Sequence, residues 1–398
     1  MRPAAWFVGI VAMLAIAWSS RAAEFDDLAA RARGQTVYWN AWAGDEKTNA
    51  FIAWVGEEVA RRYGIKLVHV RIKDTSEAVA RVIAEKAAGR SAGGSVDLIW
   101  LNGPNFLALK EEHLLFGPYI QDLPNARYLD TTHIVSNFVD FTVPVDGYAS
   151  PWRRAQIVFV YDSARVPQPP RSSEALLEWA QRHPGRTTHP NVRNFLGATF
   201  LKQALYELAP DASVLRHPAD DATFERTTAP LWRWYDALRP NLWRKGEQFP
   251  ESGPAMRQLM NDSEIDLMIS FNPAEAAVAI TAGLLPPTAR TVVYPAGTIG
   301  NTSFVGIPFN AAHKEGAEVV ANFLLEPEAQ ARAQDFHWLG SFTVLDLDKL
   351  PPAERGRFAA LPQHPALPAS ADLARVLPEP HPSWMTRLAA EWERRYIR

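Results

Sequence analysis

The sequence runs to 398 residues with 47% apolar and 21% charged side chains, the make-up of a folded globular protein and not of a disordered, collagen-like or low-complexity chain. Lys plus Arg (41) nearly balance Asp plus Glu (44) with no long block of one sign, which excludes the basic stripe of a dedicated nucleic-acid binder. The absence of cysteine excludes disulfide staples, thiolate metal sites, a thiol nucleophile and an acylated N-terminal cysteine.

The N-terminus carries Arg2, an almost unbroken apolar run from Ala4 to Trp18, and Ser20-Arg21-Ala22 with small residues at −3 and −1. This pattern predicts a secretory signal peptide over residues 1–22, cleaved after Ala22. A single membrane anchor is the alternative, but a spanning helix needs about 20 apolar residues. Cleavage removes Arg2 and Arg21 and no acid, taking the formal charge from −3 to −5. An exported, cysteine-less, unlipidated chain points to the periplasm.

From Gln35 to Gly117 two periodicities alternate. Thr36-Val37-Tyr38-Trp39 suits a strand. Thr48 to Tyr63 places Phe51, Ile52, Val55, Val59 and Tyr63 on one helical face, with Gly64 as the stop. Ile65 to Ile72 reads as a second strand. Asp74-x-x-Glu77 opens a helix as a capping box, and Gly89 closes it. Val96 to Leu101 is nearly all apolar, the pattern of a strand buried on both faces. Asn102-Gly103-Pro104-Asn105 turns into a further helix, so the β-α-β-α-β-α series predicts a mainly parallel sheet.

Ala155 to Tyr161 reads as a strand crossing into a second lobe, and helices are predicted over Ser173–Gln181, Gly197–Leu208 and Pro230–Leu238. Ile265 to Ser270 is a strand. Asn272-Pro273-x-Glu275 places an N-cap, an N1 proline and an N3 glutamate in helical register. Thr302 to Ile307 is a strand and Ala317 to Leu325 a helix. The proline-rich tail from Leu350 to Pro382 reads as an extended surface segment, and Trp384, Leu388, Trp392 and Tyr396 as the packing stripe of a last helix.

Catalytic motifs are missing: no HExxH, no histidine pair at helical spacing, no G-x-S-x-G elbow and no phosphate-binding G-x-x-x-x-G-K-[ST] loop. What clusters instead are polar and aromatic residues at strand carboxyl ends, where open α/β sheets bind ligands. These are Asn40 and Trp42, then Asn102, Gly103 and Asn105, then Ser270 and Asn272. Asparagine donates and accepts, and tryptophan offers a flat face to a ring. Trp152 and Arg153 precede the crossing strand and face the same region in this reading. Arg153 suits a carboxylate or phosphate, or is a solvated surface charge; Asn272 is a ligand contact or a helix cap.

With these residues placed, the chain resembles a bacterial periplasmic solute-binding protein of an ABC importer. The resemblance is carried by Thr36–Trp42, Glu77–Gly89, Ser95–Phe106, Ser150-Pro151-Trp152 and Phe159–Asp162, and is greatest to the YnjB-type group, a relative of thiamine-, iron- and polyamine-binding proteins. It implies a type II periplasmic-binding-protein fold: two α/β lobes, a cleft between them and two crossing strands, near Gln156–Tyr161 and Thr302–Ile307. Residues 23–155 and 302–398 would then form the first lobe, with the C-terminal segment partly bridging both, and 156–301 the second. Asn301, beside the second crossing, joins the candidate contacts.

The expectation is a monomeric carrier, without cofactor, metal or catalytic residues, that hands a small solute to a permease and its ATPase. The candidate tryptophans and asparagines suit a thiamine-like cation or a sugar derivative. The rival reading is a secreted carbohydrate-active hydrolase using paired carboxylates, which explains the tryptophans equally well.

Overall fold

The computed structural model describes residues 23–397; the expected signal peptide lies outside the described residues. Strands β1 (Thr36–Trp42), β2 (Lys66–Ile72) and β3 (Leu98–Leu101) are parallel, with β1 in the middle. The helix Glu46–Tyr63 that joins β1 to β2 starts where Asp45 accepts the Thr48 N–H and ends at Gly64, whose φ of 68° is left-handed. The helix Ser76–Ala87 starts at the predicted box: Asp74 Oδ1 accepts the Ser76 N–H at 2.9 Å, and Glu77 Oε1 accepts the Asp74 N–H at 3.2 Å. The helix Pro104–Glu111 follows β3.

A small hairpin, β4 (Val139–Asp140) with β5 (Val143–Pro144), precedes β6 (Ala149–Gln156). One residue later β7 (Val158–Asp162) begins the second sheet, where β8 (Leu267–Ser270) and β9 (Ala289–Val292) flank it, both antiparallel. The helices Ser173–Arg182, Phe195–Leu208, Asp221–Leu238 and Gly253–Asn261 belong to this second core. The helix expected from Pro230 starts earlier, at Asp221, because Asp220 caps the Thr223 N–H at 2.8 Å and Pro230 is tolerated inside. Without an N–H, that proline leaves only one carbonyl unpaired.

β10 (Thr298–Gly306) returns to the first sheet, antiparallel to both β3 and β6, and β11 (Val376–Leu377) lies parallel to its start. The segment Thr302–Ile307, expected to cross between lobes, thus lies inside the first sheet; the chain crosses just before it, at residues 293–297. The first crossing is at Ile157, whose N–H donates to Ile299 O at 2.8 Å.

A third crossing follows β11. The tail expected as an extended surface segment forms a helix (Pro352–Ala359) and β11, then buries Glu379 and leads into the helix Pro382–Tyr396. Trp384, Leu388 and Trp392 of that helix are buried in the second core, against the helix Phe195–Leu208. The final helix, expected mainly with the first lobe, therefore completes the second, because three large apolar side chains on one face need a core to cover them. It also touches the helix Pro104–Glu111 of the first lobe.

Candidate ligand-binding cleft

Between the two sheets lies a cavity of about 460 Å³. Its floor is built by β6 and β10, paired so that Arg153 faces Ser303 and Ala155 faces Asn301. Side chains alternate along a strand, so Arg153 and Ala155 point into the cavity while Trp152 points away. First-lobe walls come from Trp42, Trp100, Asn102 and Asn105, and second-lobe walls from Phe195, Arg257, Ser270, Phe271 and Glu275.

Five helices of eight residues or more present their first turns to this space, those starting at Glu46, Ser76, Pro104, Phe195 and Gly253. Helix N-termini carry unpaired N–H groups and the positive end of the peptide dipole, so their convergence favours negative charge. Side-chain charges agree. The lining holds Lys47, Lys73, Arg153, Arg193 and Arg257 against Asp45, Asp74 and Glu275. The second-lobe Arg257 holds Glu275 at 2.8 Å and reaches the first-lobe Asp45 at 3.6 Å. These acids, with burial opposing them, hold the Arg257 guanidinium above its ordinary pKa.

Arg153 is different. Its guanidinium lies over the Trp100 ring, 4.5 Å from the centroid, and over Trp152 at 5.1 Å. Among the described residues no carboxylate lies within ion-pair distance, and its buried Nε has no hydrogen-bond partner. Burial pushes its pKa down to about 10, with Asp45 opposing the shift, so it remains a cation at neutral pH.

Of the ten sequence-predicted contacts, the cavity is lined by Trp42, Asn102, Asn105, Arg153, Ser270, Asn272 and Asn301. Trp152 is a correction: it is fully buried, stacked on Phe51 and edge-on to Trp39 and Trp100, because its neighbour Arg153 takes the cleft side of the strand. Asn40 is also fully buried, two residues inside the end of β1 and flanked by β2 and β3. Gly103 is buried with φ 57°, its N–H given to Asp140 Oδ2 at 2.5 Å; a Cβ there would meet the Phe141 ring at 3.1 Å. Its role is to turn the chain.

Asn272 reaches the cavity with its polar atoms engaged: Oδ1 accepts the Ala274 N–H at 3.0 Å and Nδ2 donates to Leu339 O at 2.7 Å. Glu275 does not reach back as a capping-box partner; it accepts from Ser270 Oγ and Arg257, and the helix starts at Glu275 itself. Arg257, Glu275, Phe195 and Trp100 are cleft residues that the sequence reading did not select. The signal for Arg257 was Ser252-Gly253-Pro254, a cap and early proline that start its helix at the cleft. Among the described residues no group of three or more His, Asp or Glu is placed to hold a metal ion, and no helix is long and apolar enough to cross a membrane.

Residues 54–349 match the family model described as bacterial extracellular solute-binding protein. Protein YnjB of Escherichia coli (strain K12) is 43% identical over 397 residues, covering 100% of this chain and 99% of that one. Among solved structures, the TpPotD lipoprotein of Treponema pallidum aligns with a TM-score of 0.66 at 14% identity, covering 91% of this chain and 100% of its own. AfuA of Actinobacillus pleuropneumoniae, solved with exogenous fructose-6-phosphate bound, aligns at 0.63 and 14% identity, covering 91% and 99%. The spermidine/putrescine substrate-binding protein PotD of Streptococcus pneumoniae aligns at 0.56 and 14% identity, covering 91% and 98%. These distant likenesses establish the two-lobed fold.

Proposed function

Because the chain belongs to the family of bacterial extracellular solute-binding proteins, we propose that it captures a small anionic solute between its lobes and delivers it to an ABC permease and ATPase. Capture would occur in the periplasm, reached through the N-terminal leader. Neighbours sharing the fold are described with a sugar phosphate in one case and polyamines in another, so the ligand class has to come from this cleft's own chemistry.

The observation that carries the reading is Arg153, a cation sunk in the cleft floor without an acid to neutralise it. A buried charge lacking a partner is costly, and an anionic ligand supplies the partner. The excess of cations and the five helix starts support the same sign. A polyamine or a thiamine-like cation would meet Arg153 and Lys73 with Asp74 as the one lining carboxylate outside an ion pair, because Asp45 and Glu275 are both bound to Arg257. The same pairing leaves the hydrolase reading without two free catalytic carboxylates in the cleft. Lobe closure follows from a ligand that touches both walls at once and so favours the closed arrangement.

Calorimetric titration of refolded, ligand-stripped protein with glucose 6-phosphate, gluconate, inorganic phosphate, spermidine and thiamine tests the reading. Binding confined to anions, weakened about 10–100-fold in Arg153→Ala by loss of a charge-assisted contact, is expected. Binding of spermidine or thiamine undiminished by that change would overturn it.

A further inference from the structure

Two asparagines that line the cleft are held from behind, and the holding fixes which end of each amide faces the ligand. Asn301 is 6% exposed and donates through Nδ2 to Glu379 Oε1 at 3.0 Å. Glu379 is itself fully enclosed and bound through its other oxygen to Lys202 Nζ at 2.5 Å, with both side chains almost completely buried. A carboxylate locked to an ammonium has no proton to give, so it accepts only. The amide of Asn301 must therefore turn its NH2 toward Glu379 and leave its carbonyl oxygen free.

Asn102, at the end of β3 beside β10, repeats the arrangement. Its Nδ2 donates to the main-chain oxygen of Thr302 at 2.6 Å and approaches Asp140 Oδ1 at 3.4 Å. A main-chain carbonyl also accepts only, so the orientation of this amide is fixed by chemistry, whatever the protonation of Asp140. Among the described residues neither Asn102 Oδ1 nor Asn301 Oδ1 has a partner. Each asparagine can donate and accept in principle; here each NH2 is turned to an acceptor inside the protein and both carbonyl oxygens remain.

Resting on the reading that Arg153 takes an anion, we infer that the cleft selects an anion bearing hydroxyl groups, the hydroxyls donating to the carbonyl oxygens of Asn102 and Asn301. The donors it seeks are neutral, because an ammonium placed there would share the cleft with Arg153 and Lys73, neither of which has a carboxylate partner among the described residues. Glu379, with Lys202 behind it, acts as a positioning residue. It touches no ligand and sets specificity through the orientation of Asn301.

The test is calorimetric titration of the stripped mature protein with two matched pairs, glucose 6-phosphate against butyl phosphate and gluconate against hexanoate, with thiamine as a cation. In at least one pair the hydroxylated member should bind at least about tenfold more tightly, the scale of one hydrogen bond. Asn301→Ala and Asn102→Ala should each cost that member about tenfold and leave its unhydroxylated partner unchanged. Equal binding of both members in every pair that binds overturns this inference and leaves the anion reading standing. Binding of thiamine with none of the four anions overturns both. Glu379→Gln provides the positioning readout: a glutamine can offer its own NH2 to Asn301, letting that amide reverse, so discrimination within the pair should shrink while alkyl-anion affinity holds. Should that variant unfold, the two asparagine variants alone decide, since loss of equal affinity for both members of a pair would overturn the inference.

Discussion

Arg257 of the second lobe joins two acids that belong to different halves of the molecule, Glu275 of its own lobe at 2.8 Å and Asp45 of the first at 3.6 Å. Asp45 also caps the helix Glu46–Tyr63. Helix order and lobe closure thus meet at one carboxylate.

Asp45→Asn separates the two roles. Asparagine caps a helix about as well as aspartate, so the helix and the overall stability should be kept while the inter-lobe ion pair is lost. A partly exposed pair contributes at most about 1 kcal/mol, enough to shift an open–closed balance roughly fivefold. Small-angle X-ray scattering of the stripped protein should show a larger radius of gyration in the variant. An unchanged radius would mean that this contact does not bias closure.

The buried Lys202–Glu379 pair should behave asymmetrically under mutation. Burial pushes the Lys202 pKa down and that of Glu379 up, and their mutual attraction opposes both shifts. Glu379→Ala strands a buried ammonium and should cost about 3–5 kcal/mol in urea unfolding. Lys202→Met with Glu379→Leu removes both charges and should recover most of that loss. A double variant no more stable than the single one would mean that packing, not charge, governs the site.

Asp140 gives the protein a pH-dependent stability. Burial raises its pKa from 3.8 to about 8, with Glu379 adding to the shift and the Gly103 N–H and Asn102 amide opposing it. In this window the folded state keeps a proton that the unfolded chain loses. The stabilisation is full below about pH 4 and declines as pH rises toward 8, by up to about 1.4 kcal/mol per unit. Thermal melts from pH 5 to 8 should therefore show falling stability from this group. Asp140→Asn, which mimics the protonated side chain, should flatten that slope, and identical slopes would remove Asp140 from the account.

Gly44 is a packing constraint on the cleft wall. A Cβ on it would lie 2.3 Å from Cζ2 of Trp42 and 2.9 Å from its Nε1. Gly44→Ala should swing the Trp42 indole away, change tryptophan emission and weaken a ring-bearing ligand about tenfold, the scale of a lost aromatic contact, with little effect on the fold. Unaltered emission and affinity would mean that the loop accommodates the methyl group.

Where the chain decides its structure locally, the sequence was readable. Gly64 and the Asp74–Glu77 box each act within one helical turn, and they end and begin their helices as expected, whereas the helix expected from Thr48 starts at Glu46 because Asp45 caps it. The site was half readable. Strand-end loops pointed to Trp42 and Asn102, and the stretch before the expected crossing strand to Arg153, yet Trp152 could not share the cleft with its neighbour, since a strand sends successive side chains to opposite faces. Asn272 and Glu275 fitted a capping box by spacing, but Arg257, 18 positions before Glu275, claims the carboxylate instead. Glu379 lay in a proline-rich tail with nothing nearby to suggest burial, because its partner Lys202 is 177 positions away. Long-range pairing of this kind leaves no periodic trace.

The third crossing has a consequence for how the two lobes are completed. The second lobe is built mostly from the middle of the chain, but Trp384 and Trp392, which follow β11 in the sequence, fill its interior. Without them, Phe224, Phe249 and the ring of His189 each lose one aromatic neighbour. The first sheet depends as well on β10 and β11, which come from the final hundred or so positions. Each core is thus closed by segments that lie far along the chain from the residues they cover.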